Sequence, residues 1–141
     1  MVPEATEHER RKLLHAARMA VRWRDMDVNR HVNNVVFFRY LEQARIEWFD
    51  VALKEWRAGT HGIVIADAHC TFLKPLVYPA TIEVCVYGGA PGRSSFTFHY
   101  AIHPEGDRSV AYAEGSTRVV WVDRSSGKSA PLPDYVRGLL A

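Results

Sequence analysis

The chain has little of what several functional classes require. Its two cysteines, Cys70 and Cys85, lie inside apolar strand-like runs without C-x-x-C spacing. They build neither a disulfide framework nor a paired-thiol metal or redox motif, and both read as buried free thiols. The formal net charge is only +2, and the eighteen Lys and Arg are scattered, so no nucleic-acid partner is expected. No apolar run approaches the roughly eighteen residues of a membrane-spanning helix. The amino-terminal stretch M-V-P-E-A-T-E-H-E-R-R-K mixes charge signs and lacks an apolar signal core. A cytoplasmic location is therefore expected, with residues 1–15 as a flexible leader. No G-x-S-x-G elbow is present, which disfavours nucleophilic serine chemistry.

What the chain does have is 48% hydrophobic residues in 141, enough for one core and a single domain spanning 1–141. From Asn34 onward Phe37, Tyr40, Leu41, Ala44 and Trp48 recur at spacings of three and four. That pattern predicts a long helix with one face buried, fading between Asp50 and Trp56 ahead of Gly59 and Gly62. Just before it, Val21, Trp23, Met26 and Val28 alternate with charged residues, which reads as a strand giving way to a turn. Four more strand-like runs follow, at 63–73, 81–87, 94–103 and 109–122, separated by proline-, glycine- or acid-rich turns. Five strands and one long helix make the class α+β, with the helix on one face of a curved antiparallel sheet. Short links favour antiparallel neighbours among the last four strands. A short helix is expected over 133–140. Gly127, Lys128 and Ser129 imitate the end of a P-loop but fail its spacing.

The chemistry concentrates between the first strand and the helix. Asn33 is a good N-cap residue, and Asn29, Asn33 and Asn34 tolerate the backbone of a sharp turn. The first N–H groups of a helix have no intrahelical acceptor and carry partial positive charge. A carboxylate a few residues upstream, on Asp25 or Asp27, then stands near oriented donors. Hydrolysis of an acyl carbonyl needs this pairing: a base or nucleophile on one side, donors for the oxyanion on the other. On spacing alone, a loop aspartate caps a turn at least as readily. Asp25 falls in the alternating pattern and reads as structural. His31 either orders the loop or touches substrate. Glu42 reads as a partner of Arg39 or Arg45. His99 and His103 lie in an extended run, where a spacing of four does not bring two imidazoles together, so no metal is expected.

The segment D-M-D-V-N-R-H-V-N-N-V-V-F-F-R-Y-L-E-Q-A-R resembles the signature of hotdog-fold acyl-CoA thioesterases of the 4-hydroxybenzoyl-CoA thioesterase-like group, especially the long-chain branch. The resemblance implies a hotdog fold, a five-stranded antiparallel sheet wrapped around one long central helix. It implies Asp27 as the catalytic carboxylate and the Asn34 backbone N–H as oxyanion donor. The substrate would be a fatty or aromatic acyl-CoA, with coenzyme A part of the substrate and no cofactor. Val36 and Phe37 would then contact the acyl group, although core packing explains them as well. Lys74 and Arg93 would meet the phosphates of coenzyme A. Relatives pair the strand after the helix, here 63–73, with its twofold mate, so a homodimer is expected, with a dimer of dimers as the larger form. Where members often carry Gly-Asp, this chain has Pro79-Ala80. Two alternatives remain. One is a hotdog acyl-thioester dehydratase or hydratase, although the helix lacks the histidine these use; the other is a non-catalytic acyl-thioester binding module.

Overall fold

The computed structural model describes residues 11–89 and 91–141. Period-2 alternation builds five strands: β1 (Lys12–Ala20), β2 (His61–Phe72), β3 (Thr81–Gly88), β4 (Ser95–Pro104) and β5 (Ala113–Asp123). They form one antiparallel sheet in the order β1-β3-β4-β5-β2. The strands at its middle carry the most buried side chains, among them Ile82, Val84 and Val86 of β3 and Phe96, Phe98, Tyr100 and Ile102 of β4.

The 19-residue helix α1 (Asn34–Ala52) buries Phe37, Tyr40, Leu41, Ala44, Trp48 and Phe49. Five of these are the residues that the spacing predicts; Phe49 widens the stripe. Its centre is aromatic: the Phe98 ring lies 5.4 Å from Trp48, 5.7 Å from Phe49 and 5.1 Å from Phe96. Close approach of helix and sheet depends on Gly115, where an added Cβ would stand 2.9 Å from Leu41 Cδ1 and 2.8 Å from the His69 carbonyl. A second helix, α2 (Asp134–Leu140), inserts Val136 and Leu140 into the same core.

Four expectations are corrected. Lys12 to His15 belong to β1 rather than to a leader, because that edge strand ladders along β3 and buries Ala17; residues 1–10 fall outside the described part. The alternating residues after Val21 do not extend a strand. They form one 3-10 turn, Trp23–Asp25, because the Asp25 carboxylate accepts the Arg22 N–H at 2.9 Å and closes the chain on itself. β2 and β3 are not neighbours: β2 lies at the far edge, with β5 and β4 between them. The eight residues 73–80 can cross three strand spacings, about 14 Å, because extended chain covers about 26 Å over that length. The last strand starts at Ala113, four residues later than the pattern suggests, since Asp107 turns the chain by accepting the Ser109 N–H at 3.0 Å.

Candidate active site

The loop between β1 and α1 is clipped to the connector between β2 and β3. Val21 donates its N–H to the Ala80 carbonyl at 2.9 Å, and Val32 donates to Leu76 at 2.7 Å. Inside these clips Asp27 donates its N–H to the His31 carbonyl, and Arg30 donates to the Asp27 carbonyl at 3.0 Å. The turn is tight enough to place Arg30 at φ +65°, a left-handed conformation uncommon without glycine.

Folded this way, the loop turns Asp27 towards the start of α1. Its Oδ1 accepts the Asn29 N–H at 2.8 Å, and its Oδ2 accepts from Asn33 Nδ2 at 3.1 Å. Asn33 is also the helix N-cap, its Oδ1 accepting the Val35 N–H at 2.8 Å. One side chain therefore ties the carboxylate to the helix terminus. The Asn34 N–H has no acceptor among the described residues. It is an open donor at the positive end of α1.

Asp25 faces the other way. Its carboxylate accepts from the Arg22 N–H and, at 2.7 Å, from the Tyr40 hydroxyl. Burial, followed by this bond to a carboxylate, raises the Tyr40 pKa well above the ordinary phenol value. Asp25 thus anchors the loop to the helix, as its place in the sequence suggests. Glu42 bonds Arg39 at 3.0 Å and lies 3.8 Å from Arg45. His103 is buried and donates from Nδ1 to the Val110 carbonyl at 2.7 Å. Among the described residues no group of three or more His, Cys, Asp or Glu is placed to hold a metal ion.

The remaining candidates separate. Asn34, Phe37 and Lys74 line a groove of about 190 Å³ together with His31, Phe72, Leu73 and Pro75. Asp27 lines a different hollow, about 390 Å³, walled by Trp23, Met26, Val28 and Arg30. Val36 opens onto a third space, a cleft of about 640 Å³ between β1 and α1. Arg93 sits in the β3–β4 turn, at the end of β3 away from Thr81. There its carbonyl accepts from Leu132 N–H and Arg137 Nη2, both at 2.9 Å. Within one chain it does not join the other residues.

Residues 21–140 match the sequence profile of the thioesterase-like superfamily, which covers the loop, α1 and strands β2 to β5. The chain belongs to that superfamily. A Pseudomonas aeruginosa protein provisionally named a thioesterase is 40% identical, over 92% of this chain and 100% of its own, with a TM-score of 0.85. A Thermus thermophilus thioesterase, crystallised with coenzyme A and zinc, is 32% identical over 91% of this chain and 92% of its own, with a TM-score of 0.78. An Aquifex aeolicus protein provisionally named an esterase is 29% identical over 126 residues, 87% of this chain and 94% of its own. The expected hotdog thioesterase relationship is thereby met.

A thioester hydrolase must polarise one carbonyl and deliver one nucleophile, and this thioesterase presents an open amide and a held carboxylate through a single asparagine. Sequence reading finds Asn33 as a helix cap only. Its second bond, to Asp27, becomes visible once the turn is closed. The spacing of six between Asp27 and Asn33 is the only signal for it in the sequence. Phe72 and Leu73, which complete the groove beside Asn34, come from the end of β2, and nothing local connects them to the loop.

Proposed function

We propose that this thioesterase hydrolyses an acyl-CoA to the free acid and coenzyme A, with Asp27 as base or nucleophile and the Asn34 N–H as oxyanion donor. The observation that carries this reading is the bridge through Asn33. It holds the Asp27 carboxylate at 3.1 Å from its amide while capping the helix whose next N–H is open. The coenzyme A bound to the Thermus thermophilus relative supports the choice of carrier.

The thioester oxygen accepts from the Asn34 N–H, an interaction of about 3 to 4 kcal/mol for a well-placed donor in the transition state. In one route Asp27 takes a proton from water as its oxygen bonds to the carbonyl carbon; the tetrahedral intermediate then expels the thiolate as the C–S bond breaks. In the other, Asp27 attacks the carbon, the thiolate leaves, and water cleaves the mixed anhydride. After a single turnover in ¹⁸O-labelled water, label in the Asp27 carboxylate establishes the anhydride route with water opening the anhydride at the Asp27 carbonyl carbon, because the general-base route leaves Asp27 unlabelled.

Phe37 and Val36 are proposed to meet the acyl portion, and Lys74 and Arg93 the phosphates of coenzyme A. Arg93 reaches such a site only from a second copy. The edge strand β2 offers the surface for one: residues 66–72 are exposed except for half-buried Cys70, and beyond them Leu73, Val77 and Tyr78 are exposed apolar residues. Pairing of two β2 strands would cover this patch. Light scattering after size-exclusion chromatography should give at least twice the 16.0 kDa chain mass, and a monomer refutes the shared site.

The function itself is tested by thiol release from acyl-CoAs of graded length and one aromatic ester. Asp27→Asn should lower kcat about a hundredfold or more with the fold intact. Undiminished turnover in that variant removes Asp27 from the mechanism.

A further inference from the structure

One cleft contributes only Val36 to the proposed reaction. This 640 Å³ cleft between β1 and α1 is lined by Arg18, Arg22, Arg24 and Arg39 together with Met19 and Tyr40. A volume of that size is typical of small-molecule sites, about 300 to 1,000 Å³. The lining holds four arginines and two acids, and both carboxylates are engaged. Asp25 accepts from Tyr40 and the Arg22 N–H, while Glu47 bonds His15 and Gln43. Arg18 and Arg39 pair with Glu105 and Glu42, each from the exposed side. Among the described residues no carboxylate lies within ion-pair distance of Arg22 or Arg24. Four arginines around one space, two of them without an ion pair among the described residues, suit an anion with several oxygens, because each planar fork grips a phosphate through two N–H bonds.

We propose that this cleft binds a small phosphorylated polyanion, held by Arg22 and Arg24 with Arg18 and Arg39 assisting and Met19 and Tyr40 in the wall. Two sources share that chemistry: the phosphate-bearing end of the substrate proposed above, and a separate phosphorylated metabolite. Val36, which opens into the cleft, lies two residues after Asn34, and Arg24 lies three before Asp27. Occupancy of the cleft can therefore be felt at the catalytic loop. The binding itself does not rest on the thioesterase reading.

The test is calorimetric titration of the full chain with inorganic pyrophosphate, using equal ionic strength of sodium chloride as the control. The wild type should bind saturably, and more weakly at high salt. Arg22→Ala/Arg24→Ala should weaken binding about tenfold or more, as loss of charge-assisted hydrogen bonds requires. Arg39→Ala, at an exposed helix position, should weaken it less; it keeps the test valid if the double variant does not fold. No saturable binding in the wild type, or affinity unchanged in the folded variants, overturns the proposal. Kinetics then assign the source. Pyrophosphate raising KM for an acyl-CoA but not for the matching acyl-pantetheine marks the cleft as the seat of the substrate's phosphates. Binding without such competition marks a separate ligand. A protein that binds pyrophosphate and hydrolyses neither thioester retains the site and loses the proposed function.

Discussion

Asn33 is the residue through which stability and catalysis can be pulled apart. Its side chain makes two bonds in opposite directions: Oδ1 accepts the Val35 N–H at 2.8 Å, and Nδ2 donates to Asp27 at 3.1 Å. Asn33→Ala removes both. Loss of an N-cap costs about 1 kcal/mol, and the lost bond to a partly exposed carboxylate adds about 0.5 to 1 kcal/mol. The sum lowers Tm by about 4 to 8 °C in a domain of this size. Asn33→Ser keeps a hydroxyl able to cap but has no donor long enough to hold Asp27, so its stability should fall by less than about 1 kcal/mol. Activity should not follow stability. Both variants leave Asp27 with the Asn29 N–H alone, and both should lose about ten- to a hundredfold in kcat, the scale of a misplaced catalytic group. Thermal melts and thiol-release kinetics on the two variants decide it. Wild-type kcat in Asn33→Ser would refute the idea that Asn33 positions the carboxylate. Equal destabilisation by Ser and Ala would refute its role as the cap.

Further expectations concern the core and the thiols. Phe98→Ala, at a fully buried ring touched by Trp48, Phe49, Phe96 and Tyr100, should cost about 3 to 5 kcal/mol in urea unfolding, and a cost under 1 kcal/mol would contradict the aromatic core. Gly115→Ala should destabilise by about 1 to 3 kcal/mol, since its methyl would press on the His69 carbonyl and Leu41; an unchanged melting curve would show a looser helix–sheet contact. Burial pushes the Cys70 and Cys85 thiols up to about 11, so native protein should react slowly with a disulfide reagent at pH 8 and yield two thiols once unfolded. Because the folded state holds these protons more tightly, their contribution to stability is complete below the ordinary value of 9.0. It fades as the pH rises towards 11, which alkaline melts would register.

Much of the architecture was legible because it is encoded within short stretches. The apolar spacing from Phe37 to Trp48 specifies which face of α1 is buried, whatever that face meets. Pro75, Pro79 and the glycines after Tyr87 mark where strands stop, since each removes a donor or loosens the backbone locally. The alternation at Val21 to Val28 misled for a reason of the same kind. Period 2 records which residues are apolar, and the Asp25 carboxylate closed a turn that this record does not contain. The expected pairing of β2 with β3 failed for a different reason, because β2 bonds to β5 across many residues of intervening chain and no local pattern states which partner it takes.

The candidate site divides along the same line. From sequence come the pair of acids, the asparagines that allow the turn, and the helix start with its open amides, all properties of neighbouring residues. The fold alone decided that Asn33 reaches Asp27, that Phe72 and Leu73 wall the groove beside Asn34, and that Arg93 stands at the far end of β3. It also gathered Arg18, Arg22, Arg24 and Arg39 around one cleft from a strand, a loop and a helix. Capping, turn closure and periodicity act over a few residues, whereas cavities form where distant segments are forced to share a core.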